Sequence, residues 1–251
     1  MASMTGLRER KKRQTRQHIS DVATGLFMER GFDAVTVAEV AEAAEVSVNT
    51  VYNYFPAKED LFFDREDEIV DRPSARVRQR RPGQSAAEAI FDGMREDMDE
   101  RPVNLGMVEG FEHFLSVVTN SSSLMARLMR MQHKTTFHLG RTLAEEAGCE
   151  PDDPLPELVA AQLMAVHANL NQTVRRCALD GRTVDEVKAE LRRRLDISER
   201  LLGQEVRDFA RRPAEPESAA ATEAPGSEAP GSDPAAPDPA APDPAAPDPA
   251  V

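Results

Sequence analysis

The chain of 251 residues contains no tryptophan, and aromatic side chains make up only 5% of it. What it has instead is alanine, glutamate, arginine and leucine recurring at spacings of three and four residues. This usage is typical of a helical protein, and no segment shows a strand pattern. The composition therefore predicts an all-α fold.

Cysteine is almost as scarce, with only Cys149 and Cys177 in the chain. A disulfide framework or a cysteine metal site is not expected, and we interpret both residues as ordinary buried or half-buried thiols. The N-terminus has no apolar signal-peptide core, and no run of roughly 18 apolar residues occurs. We accordingly expect a cytoplasmic protein with no membrane partner.

Signatures of catalysis are also missing. The chain has no glycine-rich phosphate loop, no nucleophile elbow and no paired-histidine metalloprotease motif. No two of the histidines in its C-terminal half combine metal-ligand spacing with a carboxylate partner, so we interpret them as core or surface residues. We predict no enzyme, no cofactor and no metal site.

The formal net charge of -13 is distributed unevenly. Residues 213–251 hold eight acids and no base, which leaves 36 acids against 31 bases in the first 212 residues. In the first sixteen residues, six bases oppose Glu9 alone: Arg8, Arg10, Lys11, Lys12, Arg13 and Arg16. This basic run predicts an arm that contacts the DNA backbone or minor groove, with a solvated helix face as the alternative.

Capping signals predict where the helices begin and end. Gly31 ends a first helix, Thr36 with Glu39 forms a capping box that opens a second, and Ser47 opens a short third helix that ends at Tyr54. A fourth helix follows Pro56 and carries Leu61, Phe62 and Ile69. Further helices are predicted near residues 85–100, 103–118, 121–147, 156–180 and 183–211.

The second and third helices are separated only by the tight segment Ala44-Glu45-Val46, which matches the helix-turn-helix plan. In that plan the third helix lies in the major groove. Val51 and Phe55 can anchor it to the core. Its other residues offer hydrogen bonds or methyl contacts to DNA: Val48, Asn49, Thr50, Tyr52, Asn53 and Tyr54.

At this point the chain resembles the DNA-binding region of the TetR family. The resemblance rests on Gly31-Phe32 and Thr36-Val37, on the run from Val46 to Pro56, and on Lys58-Glu59-Asp60-Leu61. It covers roughly residues 14–62, and helix stripe, cap, turn, aromatic pair and following lysine occur in order. The C-terminal half resembles the family only in the number and length of its helices.

The resemblance implies a role for each matching position. Thr36 would cap the second helix and touch a phosphate, and Ser47 would cap the third. Val48, Asn49 and Thr50 would face base edges, Asn53 would lie beside them, and Tyr52 and Tyr54 would reach backbone phosphates or sugars. Lys58 would contact a phosphate. The basic arm adds Arg10, Lys11 and Lys12 to the predicted DNA-binding residues.

Two features leave alternatives open. Glu45 stands where the family usually has glycine, so a residue with a side chain is expected in a left-handed conformation at a cost of about 1 kcal/mol. Tyr52 and Tyr54 are alternatively half-buried packing residues, and Tyr52 is the one we expect to pack.

We predict four regions along the chain. They are a helix-turn-helix DNA-binding domain with its basic arm (1–70), a solvated Arg-rich linker (71–84), a helical effector-binding and dimerisation domain (85–212) and a disordered acidic Pro-rich tail (213–251). The tail repeats Asp-Pro-Ala-Ala-Pro from Asp233, and proline removes the amide donors that a regular fold needs.

The C-terminal half is rich in methionine and phenylalanine, which either fill a core or line an adaptable apolar pocket. With the family resemblance, we predict a cavity for a small-molecule effector lined by Met94, Phe111, Phe114, Met125, Met129 and Met164. Asn169, Asn171 and Gln172 interrupt an apolar helix and face either that pocket or a homodimer interface.

The predicted function is a sequence-specific DNA-binding transcriptional regulator. It would act as a homodimeric repressor that leaves an inverted-repeat operator when the effector binds. The alternative is a constitutive or architectural DNA-binding protein that senses no ligand, whose binding would be insensitive to metabolites.

Overall fold

The computed structural model describes residues 2–107 and 110–214. These residues form helices and connecting turns, and no strand occurs among them. The prediction of a disordered tail at 213–251 falls, apart from its first two residues, outside the described part of the chain. The helices are α1 (Ala2–Arg30), α2 (Val37–Ala43), α3 (Val48–Tyr54), α4 (Lys58–Phe62), α5 (Glu66–Arg78), α6 (Ala86–Glu100), α7 (Phe111–Thr119), α8 (Ser122–Ala147), α9 (Leu155–Leu179), α10 (Val184–Leu201) and α11 (Gln204–Asp208).

The helix boundaries follow the local capping signals closely. Helix α1 ends before Gly31, which adopts a positive φ of 84° that a residue with a side chain rarely tolerates. Capping boxes at Thr36, Ser85 and Thr183 open α2, α6 and α10, and the box at Thr36 is the one named in the sequence analysis. None of the helices in the described ranges is long and apolar enough to span a bilayer.

The expected Arg-rich linker is instead largely helical, and this part of the prediction was wrong. Helix α5 runs through Arg78 with Pro73 in its interior. Proline cannot donate the backbone hydrogen bond to the preceding turn, which normally ends a helix. Here Val70, Pro73 and Val77 are buried on one face, so tertiary packing offsets the missing bond.

Two other predicted helices are interrupted. The segment near 103–118 contains a 3₁₀ turn at Pro102–Leu105 followed by α7, because Gly106 and Gly110 both adopt positive φ. The helix expected over 183–211 breaks at Leu202, whose backbone is extended, and resumes as α11.

Buried apolar side chains form two clusters. The first lies inside the C-terminal body, where α8 packs along α9, and α10 packs against α9. The second contains the apolar faces of α1 to α4, but it also includes Val117, Val118, Leu124 and Met131 from α7 and α8. The helix-turn-helix therefore shares the second cluster with α7 and α8 of the body.

Polar contacts reinforce that shared region. Arg127 of α8 donates to Asp60 of α4 at 2.6 Å and to Glu66 of α5 at 2.5 Å. The Nε2 atom of His113 donates to the carbonyl oxygen of Met28 at 2.6 Å, which ties α7 to the last turn of α1. These bonds cross between the two halves of the described chain.

Candidate DNA-binding surface and ligand cavity

Helix α2 is fixed at its start by a complete capping box. The backbone N–H and the hydroxyl of Thr36 donate to Glu39 Oε2 at 2.7 and 2.8 Å, and the Glu39 N–H donates back to Thr36 Oγ1 at 3.2 Å. Arg30 also donates to Glu39 at 2.6 Å. The Thr36 backbone N–H, then Arg30 and the Thr36 hydroxyl, lower the pKa of Glu39 to about 2.

The turn between α2 and α3 contains a strained residue where the sequence predicts one. Glu45 adopts φ of 54°, in the left-handed region. The Val46 N–H donates to the Ala41 carbonyl at 2.9 Å, which closes the end of α2. The family's usual glycine would avoid a strain of about 1 kcal/mol here, so the expectation for Glu45 is confirmed.

Helix α3 is anchored by one face and presents the other to solvent. Val51 and Phe55 are fully buried, whereas Val48, Asn49 and Asn53 are exposed. The Thr50 N–H donates to Ser47 Oγ at 3.0 Å, and the two hydroxyls lie 2.7 Å apart. The hydroxyls of Ser47 and Thr50 therefore bond each other. The side-chain amides of Asn49 and Asn53 make no hydrogen bond to any described residue, so both can bind other partners.

Of the two tyrosines it is Tyr54 that packs, and the expectation that Tyr52 would be the packing residue was wrong. Tyr52 is 49% exposed, and Tyr54 packs against the apolar cluster of the helix-turn-helix. The reason is helical phase, since Tyr54 lies nearer the face that carries Val51 than Tyr52 does.

Arg16 holds the end of α3 against α1. Its guanidinium donates to the Tyr54 carbonyl at 2.6 Å and to the Asp64 carbonyl at 3.1 Å. It also lies 4.2 Å from the centroid of the Phe55 ring. Sequence reasoning counted Arg16 only as one charge of the basic run, because its partners lie about 40 residues away in the chain.

Lys58 lies at the start of α4, as its predicted phosphate contact requires. Its Nζ atom donates to the Phe32 carbonyl at 2.5 Å and lies 4.2 Å from the Phe32 ring centroid. Burial lowers the pKa of Lys58 from its ordinary value. An ammonium has three donors, so bonds to other acceptors remain possible.

The predicted basic arm is the first half of α1. Arg10, Lys11 and Lys12 are all exposed on this helix, which continues without a break into the helix-turn-helix. At 1.5 Å per residue, the 29 residues of α1 span about 43 Å. The basic groups therefore stand on a helical extension.

A cavity of about 530 Å³ lies between α5, α6, α8 and α9. Three of the six predicted ligand residues line it, namely Met94, Met129 and Met164. The other three do not. Phe114 and Met125 pack against the cluster of the helix-turn-helix, and Phe111 packs beside Gly106 against the body cluster.

Sequence reasoning missed the polar wall of the cavity. It includes Arg72, Arg76, Asp97, Asn104, His167 and Asn171, and the lining also contains Arg65, Gln132, His133, Thr135 and Thr136. Arg72 and Arg76 are four residues apart, a helical spacing, but the prediction of a linker concealed it. Asn104 lies in the 3₁₀ turn, and its place beside α5 could not be inferred from local pattern.

Asn169, Asn171 and Gln172 of α9 do not share one environment. Asn171 lines the cavity, and its Nδ2 donates to Nδ1 of His167 at 3.2 Å. Asn169 and Gln172 lie on the exposed side of α9, and Asn169 Oδ1 accepts a bond from Arg194 of α10 at 3.3 Å. Asn171 therefore faces the cavity, whereas Asn169 and Gln172 lie on the outer face of α9.

Comparison with known proteins relates the first part of the chain to a family of regulators. Residues 19–64 match the sequence model described as "Bacterial regulatory proteins, tetR family". The HTH-type transcriptional regulator TcmR of Streptomyces glaucescens is 29% identical over 165 residues, which cover 64% of this chain and 73% of TcmR. The HTH-type transcriptional regulator AcrR of Shigella flexneri is 45% identical over 49 residues, or 20% of this chain and 23% of AcrR.

Solved structures resemble the chain over most of its length. NalD, described as the secondary repressor of the MexAB-OprM multidrug efflux pump in Pseudomonas aeruginosa, has a TM-score of 0.53 and 19% identity. This match covers 76% of the chain and 98% of NalD. SmeT in its complex with triclosan also has a TM-score of 0.53, at 16% identity, over 77% of this chain and 94% of SmeT. At these identities the likeness shows the fold alone.

Proposed function

Because the chain belongs to the TetR family of bacterial regulatory proteins, we propose that it is a repressor released from its operator by a small molecule. DNA binding and transcriptional regulation are the activities of its relatives. The observation that carries the rest of the proposal is the core shared by the helix-turn-helix and the cavity-bearing body. A ligand that moves the body can therefore move α3.

The exposed face of α3 supports base reading. Asn49 can form a bidentate pair with an adenine edge in the major groove, and the Val48 side chain can contact a thymine methyl group. Tyr52 and Lys58 supply contacts to sugars or phosphates, which position the helix without reading sequence. The exposed lysines and arginines of α1 add backbone contacts.

The exposed face of α9 supports a homodimer. Leu158 and Leu179 are 58% and 73% exposed at the two ends of this helix. Between them Gln162, Asn169 and Gln172 are also exposed and do not line the cavity, and polar side chains in such a helix pair would fix its register. Pairing this face with its symmetry mate would bury the leucines and give two α3 helices related by a two-fold axis.

The position of the cavity supports coupling between ligand binding and DNA binding. Helix α5 forms one wall of the cavity. Arg127 of α8 donates both to Glu66 at the start of α5 and to Asp60 of α4. Displacement of α5 would therefore pull on α4, which follows α3 directly. A ligand that favours the displaced arrangement by about 1 to 3 kcal/mol would weaken operator binding by about 5- to 150-fold.

Selection of binding sites from random DNA tests the operator part of the proposal. We expect an inverted repeat whose half-sites are centred about 34 to 36 Å apart, or modestly more. Selected sequences without dyad symmetry, or a monomer in sedimentation at micromolar concentration, would contradict the homodimer.

A screen of small molecules for loss of operator binding tests the sensing part. A compound that acts through the cavity should lose its effect in Gln132→Trp, which fills the cavity from α8, and keep it in Arg141→Trp, an exposed control on the same helix. Operator DNA must weaken binding of that compound by the same factor. If no compound alters operator binding, the protein is a constitutive DNA binder.

A further inference from the structure

We infer that the cavity selects apolar molecules that carry one anionic group, and that Arg72 is the partner of that group. The inference rests on the proposed function in so far as it names the chemistry of the effector. The charges of the cavity wall, and the partners that compensate each of them, support this assignment.

Asp97 neutralises Arg76, and both of its carboxylate oxygens already accept hydrogen bonds from the protein. It is only 2% exposed, one of its oxygens accepts from the Arg76 guanidinium, and the other accepts from Asn104 Nδ2 at 2.8 Å. Arg76 is also held sterically, since a Cβ on Gly93 would lie 2.3 Å from its Nε atom. This pair is therefore a fixed part of the wall.

Arg72 is compensated much less well. Its side chain is 21% exposed, and its bonds to described residues reach the Asn104 carbonyl at 3.5 Å and Glu68 at 3.4 Å. Both distances are at the limit for a hydrogen bond. Glu68 is itself bound twice by Arg65, at 3.0 and 2.6 Å. Arg72 thus keeps a charge and donors that are available to a ligand.

His167 adds a donor without adding a charge. Its Nδ1 atom accepts from Asn171, so in the neutral ring the proton is carried by Nε2. Burial, and secondarily Arg76 and Arg72, lower the pKa of His167 to about 4. Asp97 is the one acidic residue among the described residues that line the cavity. The polar wall therefore favours an acceptor with negative charge.

Much of the remaining lining is apolar. Met94, Leu105, Met131 and Met164 supply apolar surface beside the neutral polar side chains of Gln132, Thr135 and Thr136, and methionine adapts to ligands of different shape. A neutral apolar ligand would fill this space but would remove water from Arg72 without replacing its hydrogen bonds. An anionic group on the same body avoids that cost, because a charge-assisted bond forms.

Two fluorescent probes that differ in one group test the inference. 8-Anilinonaphthalene-1-sulfonate is anionic, and its parent N-phenyl-1-naphthylamine lacks only the sulfonate. In Arg72→Met we expect the sulfonate probe to bind about 10- to 100-fold more weakly, the range for loss of a bond to a charged group. The neutral probe should bind no more weakly, and more tightly in so far as it no longer removes water from Arg72.

Matched variants complete the experiment. Arg72→Lys keeps the charge and should retain most of the affinity for the sulfonate probe. Arg78→Met removes an arginine from the exposed side of the same helix and should change neither probe. Arg72→Gln provides a second neutral variant should the methionine variant not fold. The inference is overturned if loss of Arg72 leaves both probes unchanged or weakens both equally.

These titrations need no DNA, so they separate the two proposals. If Arg72 selects the sulfonate probe but no anionic compound alters operator binding, the ligand chemistry stands and the release mechanism fails. If a neutral compound releases the operator and Arg72 shows no selection, the release mechanism stands and the ligand chemistry fails.

Discussion

Replacement of Arg16 by methionine should separate a positioning role from a DNA contact. Methionine retains an apolar stem but removes the two bonds to the carbonyls of Tyr54 and Asp64 and the contact with the Phe55 ring. These groups connect α1 to the end of α3. The variant therefore loosens α3 without touching the exposed face that we propose reads bases.

The expected size of this effect follows from the contacts. A bond to a charged group contributes about 1.5 to 3 kcal/mol, and a partly exposed site lies at the lower end of that range. A cation–π contact adds about 0.5 to 1 kcal/mol. We expect the free energy of unfolding to fall by about 3.5 to 4 kcal/mol, a large share of the roughly 5 to 15 kcal/mol of an ordinary domain.

Urea denaturation and operator titrations at several salt concentrations measure the two consequences. Operator affinity should fall about tenfold in Arg16→Met while its salt dependence stays the same, because no phosphate contact is lost. Lys12→Met is the contrast, since this exposed residue should leave unfolding unchanged and flatten the salt slope by about one unit. Were Arg16→Met to flatten the slope and leave stability unchanged, Arg16 would be a phosphate ligand.

Three further predictions concern recognition, coupling and pH. Asn49→Ala should cost about 1 to 3 kcal/mol on the selected operator and relax its preference, whereas Lys58→Met should weaken all sequences alike; identical binding profiles would refute these roles. Phe114→Leu breaks the ring stack with Phe62, whose centroid is 4.9 Å away, but should leave the affinity for N-phenyl-1-naphthylamine unchanged while reducing ligand–operator coupling by about 1 kcal/mol; a tenfold loss of probe affinity would make Phe114 a ligand contact. His167, which faces Arg72, Arg76 and Asp97, has a folded pKa of about 4 against 6.5 when unfolded, so protonation favours unfolding and stability falls as the pH drops from 6.5 towards 4. The loss should reach up to about 3 kcal/mol in calorimetry and be absent in His167→Gln.

Local chemistry explains why so much of the helix-turn-helix could be predicted. A capping box at Thr36, a cap at Ser47 and a glycine at 31 each act over three or four residues, so the sequence alone specifies where α1, α2 and α3 begin or end. The left-handed Glu45 was predicted from the resemblance, because it stands where the family usually has glycine. The described structure confirms these boundaries.

The cavity could not be predicted in this way because its wall comes from four separate helices. The rotation of each helix about its axis depends on burial rather than on capping. Phe111 and Phe114 face away from the cavity because α7 starts only after the break at Gly106 and Gly110. Helix α5, and with it the position of Arg72, could not be predicted because Pro73 normally ends a helix, whereas packing keeps this one intact.

The shared core also limits how this protein can be recombined with its relatives. A hybrid joined at residue 70 would combine the helix-turn-helix of one protein with the body of another. The helix-turn-helix would then lose its natural neighbours Val117, Leu124 and Met131. Each mismatched side chain leaves a void or a clash, and such defects in a close-packed interior cost about 1 to 5 kcal/mol apiece. Engineered sensors that exchange operator specificity should therefore carry these three residues of α7 and α8 along with residues 1–70.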